Sequence, residues 1–180
     1  MHIYQKLITA NINSPFTSSV GRIFDVVAAL LGLCNQVSYE GQAAIILEQT
    51  LKNTKYGLDD CYEFFINNKD GKHIISLDKT YFAILQDKNK AIPLEIISWK
   101  FHNTMVKIIY ETCLIISDTN KIKTIVLSGG CFQNKFLLES TINVLSNKGF
   151  TVLYHKEFPT NDGSISLGQA AHVIYGREVN

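Results

Sequence analysis

The sequence predicts an α/β lobe with a parallel βαβ core, several helices and an inserted β-hairpin. Three observations carry that expectation. Two apolar, β-branched runs, 122–127 and 150–155, read as strands separated by one amphipathic helical stretch, 136–147. Parallel strands joined through such a helix form a right-handed unit. Earlier in the chain, Asp70-Gly71 stands between two apolar runs, where a hairpin turn belongs. Two further segments, 20–32 and 94–116, space their apolar residues as one face of a helix.

A chain of 180 residues fits one domain, or a piece of a larger fold, and can bury a core. Hydrophobic residues at 46% and charged residues at 18% exclude a disordered composition. A net charge of +1, without any dense Lys/Arg cluster, removes the bulk-charge argument for a nucleic-acid or membrane partner. Cys34, Cys61, Cys113 and Cys131 are widely spaced, with no Cys-x-x-Cys. Reduced thiols in a cytoplasm are therefore expected, rather than a disulfide framework or a zinc site built by the protein alone. Met1-His2-Ile3-Tyr4-Gln5-Lys6 lacks the order of a signal peptide. The longest uncharged apolar run, between Val26 and Leu33, is too short to span a bilayer. The expectation is a soluble cytoplasmic protein.

In chain order, residues 1–16 read as a polar lead-in ending near Pro15, an opening that hints at a start partway through a larger fold. Thr17-Ser18-Ser19 then offers N-cap hydroxyls to the helix over 20–32. Apolar residues at 20, 23, 24, 27, 30 and 31 mark its buried face, and Asp25 lies beside that face. Such an acid is either a solvated surface carboxylate or an acceptor for sugar hydroxyls at a cleft edge. Ser38-Tyr39-Glu40-Gly41-Gln42 is a polar turn into a second helix over 42–52. Glu40 either complements the helix dipole or reaches a ribose or base edge. Hairpin strands are expected at 62–66 and 73–77, followed by a short helix over 79–86. Pro93 opens the longest helix, where His102 is expected to be a packed or surface residue rather than a ligand.

The βαβ unit holds the most informative stretch. Ser128-Gly129-Gly130-Cys131-Phe132-Gln133-Asn134 joins its first strand to its helix. Two residues without Cβ let the backbone approach a ligand, and a helix N-terminus presents amides to an anion. The stretch is a phosphate-loop candidate, though a plain strand-to-helix turn has the same appearance. Lys148-Gly149 stops the helix. After the second strand, Asn161-Asp162-Gly163 is a turn signal before a helix of small residues. Asp162 is either an N-cap or a carboxylate in the crevice where open α/β sheets place ligands, able to hold a hard cation.

Several of these segments together resemble the hydrogenase-maturation carbamoyltransferase family HypF. They are residues 17–32 with 38–44, the run Leu127-Ser128-Gly129-Gly130-Cys131-Phe132-Gln133-Asn134, and Pro159-Thr160-Asn161-Asp162-Gly163-Ser164 with its following helix. Phe101-His102-Asn103-Thr104 is a shorter match. The resemblance covers residues 17–180 but only the last part of the family's longer polypeptide. It implies the C-terminal half of the domain shared with TsaD-type threonylcarbamoyl transferases, an actin/hexokinase-like (ASKHA) ATPase fold, preceded by a lead-in over 1–16. The acylphosphatase-like, zinc-binding and YrdC-like domains of the family are not represented. Nor is the first half of the TsaD-like domain, with its metal-holding histidine pair.

By resemblance, Asp25, Glu40 and Gly41 face the nucleoside of ATP or carbamoyl-adenylate, and Gly129, Gly130 and Asn134 face its phosphate. Asp162 is similar to the carboxylate that joins the absent histidines at a divalent iron or zinc ion. The implied reaction passes a carbamoyl group, activated from carbamoyl phosphate and ATP, to the C-terminal cysteine of a HypE-like acceptor. The expected partners are that acceptor and the missing N-terminal half of HypF, if it is encoded separately. Cys131 departs from the small β-branched residue more usual in this loop. A thiol there could be activated, but a plain apolar substitution is the simpler reading. Ser164 replaces a second glycine after Gly163. Three readings stay open: an active carbamoyltransferase lobe working with its other half, a truncated non-catalytic remnant, and a nucleotide-binding or interaction module. A TsaD-like lobe is a further alternative.

Overall fold

In a computed structural model, described over residues 2–51 and 60–176, the chain forms seven α-helices and four strands among those residues. Helix α1 (His2–Thr9) occupies what reads as a polar lead-in. Its Ile3 and Ile8 are exposed, so no buried face marks it in the pattern. Helix α2 (Val20–Leu31) stands as expected, but its buried stripe is Phe24, Val27, Ala28 and Leu31, while Val20 is exposed. The anticipated hydroxyl cap is not formed. Thr17 Oγ1 instead accepts from the Ser19 amide at 3.1 Å, and Ser19 makes no side-chain cap. Gly32, at φ +77°, ends the helix in the left-handed conformation that favours glycine. Helix α3 (Gln42–Gln49) is shorter than the pattern over 42–52, and Lys52 lies outside the described residues.

Strands β1 (Phe65–Lys69) and β2 (Lys72–Ser76) pair antiparallel, with Lys69 opposite Lys72. Asp70 at φ 52° and Gly71 at φ 74° thus form a two-residue loop with positive φ at both centres, as a tight hairpin requires. Pairing begins at Phe65 rather than at residue 62. The Tyr62 amide donates instead to Thr104 Oγ1 at 2.8 Å, and the Tyr62 hydroxyl donates to Asp87 at 3.0 Å. Lys100 completes this cluster at 2.8 Å from Asp87. Helix α4 (Asp78–Asn89) and helix α5 (Leu94–Asn120) both outrun their expected ends. Helix α5 stops only where Lys121 turns left-handed at φ 59°.

The main core lies along α5. Ile97, Phe101, Met105 and Ile108 pack with Phe24 and Val27 of α2, Leu47 of α3 and Ile84 of α4. Phe24 and Phe101 meet edge to face at 5.0 Å. Beyond it comes the βαβ unit: β3 (Thr124–Leu127), α6 (Lys135–Asn147) and β4 (Thr151–Tyr154). The two strands run parallel, Thr124 opposite Thr151 through Leu127 opposite Tyr154, as the sequence predicts. A smaller core of Leu127, Leu145 and Phe150 holds this layer. Helix α7 (Ile165–Tyr175) follows and fully buries none of its residues. Residues 177–180 of the expected lobe lie outside the described residues. Among the described residues no helix is long and apolar enough to cross a membrane.

Candidate functional site

The carboxyl ends of β3 and β4 bring the glycine turn and the Asp162 loop together. Gly129 adopts φ 103° and ψ 156°, a conformation that L side chains avoid, and open space faces the position a Cβ would take. Its amide donates to the Thr160 carbonyl at 3.0 Å. A Cβ built at Gly130 would lie 3.8 Å from Asn161 Cβ. Ser128 Oγ and His155 Nε2, at the ends of the two strands, are 3.0 Å apart. A one-turn 3₁₀ segment, Gly130–Gln133, follows, and the amides of Gly130 and Cys131 precede its first internal hydrogen bond. Asp162 begins a second 3₁₀ turn, Asp162–Ser164, whose cap is Asn161: its Oδ1 accepts from the Gly163 amide at 3.1 Å. The capping role considered for Asp162 therefore belongs to Asn161. The Asp162 side chain is exposed, and no hydrogen bond or ion pair engages it among the described residues.

Asp25 reaches this turn from α2. Its carboxylate is about one-third exposed (34%), lies 3.4 Å from Arg22, and its charge acts on the neighbouring Cys131. Burial, then that charge, push the Cys131 thiol above its ordinary value. The thiol is thus held protonated, which fits the apolar-substitution reading and not an activated nucleophile. Glu40 is exposed in the turn before α3, and Gly41, at φ 79°, heads that helix. The Ser38 amide and hydroxyl both donate to Gln42 Oε1, at 2.7 and 3.1 Å, fixing the turn. Helix α3, roughly 12 Å long at 1.5 Å per residue, separates Glu40 and Gly41 from the glycine turn.

Asn134 faces inward. Its Oδ1 accepts from the Leu137 amide at 2.8 Å, and its Nδ2 lies 3.0 Å from His102 Nε2. The Phe136 amide donates to Glu48 Oε1 of α3 at 3.2 Å. Two first-turn amides of α6 are therefore taken by protein side chains, so the helix end is less open to an anion than the sequence implies. The free approach to a ligand is at Gly129 and Gly130. Position alone in the sequence could not reveal this, because Glu48 and His102 lie 88 and 32 residues from their partners.

A cleft of about 1100 Å³ opens beside the turn, between residues 17–20, β2, the middle of α5 and residues 128–132. Of the predicted site residues only Gly129 and Gly130 line it, and Val26, Ile74, Met105 and Ile108 make its wall apolar. Asp25 and Asp162 lie beside the turn but outside this hollow, while Glu40 stands apart at the head of α3. No group of three or more His, Cys, Asp or Glu side chains among the described residues could hold a metal ion, so Asp162 does not form a metal centre with them.

Residues 1–169 match the family described as carbamoyltransferase, Kae1-like domain, second subdomain, and the chain belongs to that family. Over 167 residues it is 41% identical to carbamoyltransferase HypF of Synechocystis, covering 92% of this chain and 20% of that protein. Over 163 residues it is 33% identical to the probable carbamoyltransferase HypF of Methanocaldococcus jannaschii, covering 91% of this chain and 20% of the relative. A crystal structure of full-length HypF in its phosphate- and nucleotide-bound form matches with a TM-score of 0.90 at 40% identity. That match covers 98% of this chain and 23% of the other. The chain spans about a fifth of the length of these two relatives.

Proposed function

We propose that this chain is one wall of the carbamoyl-transfer site in a HypF-type enzyme of nickel–iron hydrogenase maturation. The observation that supports the reading most is the likeness, at a TM-score of 0.90, to a HypF structure that holds phosphate and nucleotide. In this reading the ligand is ATP or the carbamoyl-adenylate made from it with carbamoyl phosphate. Its phosphate lies against Gly129 and Gly130, where no Cβ intervenes. Its nucleoside extends toward Asp25, Glu40 and Gly41. The C-terminal cysteine thiolate of a HypE-like acceptor attacks the carbamoyl carbon. A C–S bond forms, the C–O bond to the adenylate breaks, and AMP leaves with the bonding electron pair. Backbone amides at the turn favour the charge on that leaving phosphate. Asp162 would supply one carboxylate to a divalent iron or zinc ion, with histidines from the other half of the domain completing the site. That half would be supplied by the same polypeptide or by another.

The test is a reconstitution. The chain is combined with the remaining HypF domains, ATP, carbamoyl phosphate and the acceptor, and the acceptor's terminal cysteine is followed by mass spectrometry. Carbamoylation that requires the chain is expected. ATP binding with no carbamoylation under the same conditions would instead leave a nucleotide-binding module.

A further inference from the structure

The glycine turn is held from behind by a buried chain of hydrogen bonds that crosses three helices. Ser98 Oγ of α5 donates to the Leu47 carbonyl of α3 at 2.9 Å. One turn later, His102 is fully buried, with Nδ1 at 2.8 Å from the Ser98 carbonyl and Nε2 at 3.0 Å from Asn134 Nδ2. The proton positions follow from one fixed donor. The Leu137 amide can only donate, so the Asn134 atom 2.8 Å from it is the carbonyl oxygen. The amide nitrogen of Asn134 then faces His102 and donates to Nε2. That leaves Nδ1 as the protonated ring nitrogen, donating to the Ser98 carbonyl. Phe24 and Phe136 pack against the ring in T-shaped contacts at 5.4 and 5.5 Å. Glu48 adds a second tie between α3 and the start of α6.

We propose that His102 is a positioning residue for the glycine turn: through Asn134 it fixes the start of α6, and through Ser98 it ties that start to α3. Asn134 then serves the ligand from inside the protein, as the last link of this brace, and not by touching phosphate. The brace sets the distance between the turn carrying Gly129 and Gly130 and the helix headed by Glu40 and Gly41. It rests on the nucleotide reading for its purpose, but its structural content stands separately.

The experiment compares His102→Leu with His102→Gln in the full 180-residue chain. Gln carries an oxygen that can accept from Asn134, and Leu carries none. The readouts are hydrogen exchange at the Leu137 amide, the amide resonances of Gly129 and Gly130, and ATP affinity by titration with the remaining HypF domains present. His102→Leu is expected to speed Leu137 exchange and weaken ATP binding, each by about tenfold, the worth of one buried hydrogen bond. His102→Gln is expected to restore both to within about threefold. Unchanged Leu137 exchange and ATP affinity in His102→Leu would overturn the proposal, as would an affinity that His102→Gln does not rescue. Should the Leu variant not fold, Asn134→Ser decides, because Ser keeps an N-cap but cannot reach His102. It should shift the Gly129 and Gly130 resonances and weaken ATP, and unaltered values would refute the brace. A wild-type chain that binds no ATP even with the remaining HypF domains present would refute the nucleotide reading, while Leu137 exchange would still judge the brace.

Discussion

The α5-centred half and the βαβ–α7 half are built from similarly apolar sequence, yet they end differently. At the centre of the α5 half, Phe24, Ile97, Phe101 and His102 are almost wholly excluded from water. In the other half, Val126 is 65% exposed and Leu153 51%. Helix α7, with Val173 and Ile174 facing solvent, fully buries nothing. A two-stranded parallel sheet with one helix against it has an open face and two open edges. The first half has a closed centre, although Phe82 and the apolar cleft remain open to solvent. The second buries only Leu127, Leu137, Leu145 and Phe150 among its described large apolar side chains. The glycine turn lies at their junction, braced on its closed side and bare on its open side.

That contrast can be broken at several points. The largest effect should come from Phe101→Ala. Removing a fully buried ring beside Phe24 and His102 should cost about 3–5 kcal/mol, read as a lowered midpoint in urea unfolding. Acid should act on the same half. Burial lowers the His102 value from 6.5 to about 4, with the Ser98 carbonyl opposing this in part. The unfolded chain then binds the proton more readily than the folded one. The associated stability is complete above pH 6.5 and is lost as pH falls from 6.5 toward 4, by on the order of 3 kcal/mol. His102→Gln should flatten that part of the pH profile. Gly129→Ala should cost about 1–3 kcal/mol, because alanine is strained at that φ and ψ, and it should also weaken ATP binding. Ile174→Ser on α7 should change stability by less than about 0.5 kcal/mol. It should nonetheless reduce self-association in sedimentation, since it removes exposed apolar surface.

The same division governs what the sequence makes legible. Local chemistry reads well. Asp70-Gly71 specifies its hairpin through positive φ, and the spacing of β3, α6 and β4 specifies a parallel pair. Long-range pairing does not. The sequence leaves His102 either packed or at the surface; it is buried, and its partner Asn134 belongs to a different motif. Ser19 has the right identity for a cap yet makes no side-chain cap, and Thr17 accepts from its backbone amide. The paired turn and Asp162 loop are anticipated only as two separate strand ends. Their contact, through Gly129 and Thr160, appears with the fold. Helix α1 escapes the pattern because its face is exposed, so nothing in the core selects its residues.

In the proposed reading a nucleotide phosphate rests on the glycine turn. Titration with ATP of the isotope-labelled chain, combined with the remaining unlabelled HypF domains and followed through backbone amide resonances, tests it most directly. Saturable shifts are predicted at Gly129, Gly130 and Asp162, with smaller ones near Asp25 and Gly41, and loss of the response in Gly129→Ala. Shifts confined to the apolar cleft around Ile74 and Met105, or none at the turn at ATP concentrations that saturate the reconstituted enzyme, would contradict it.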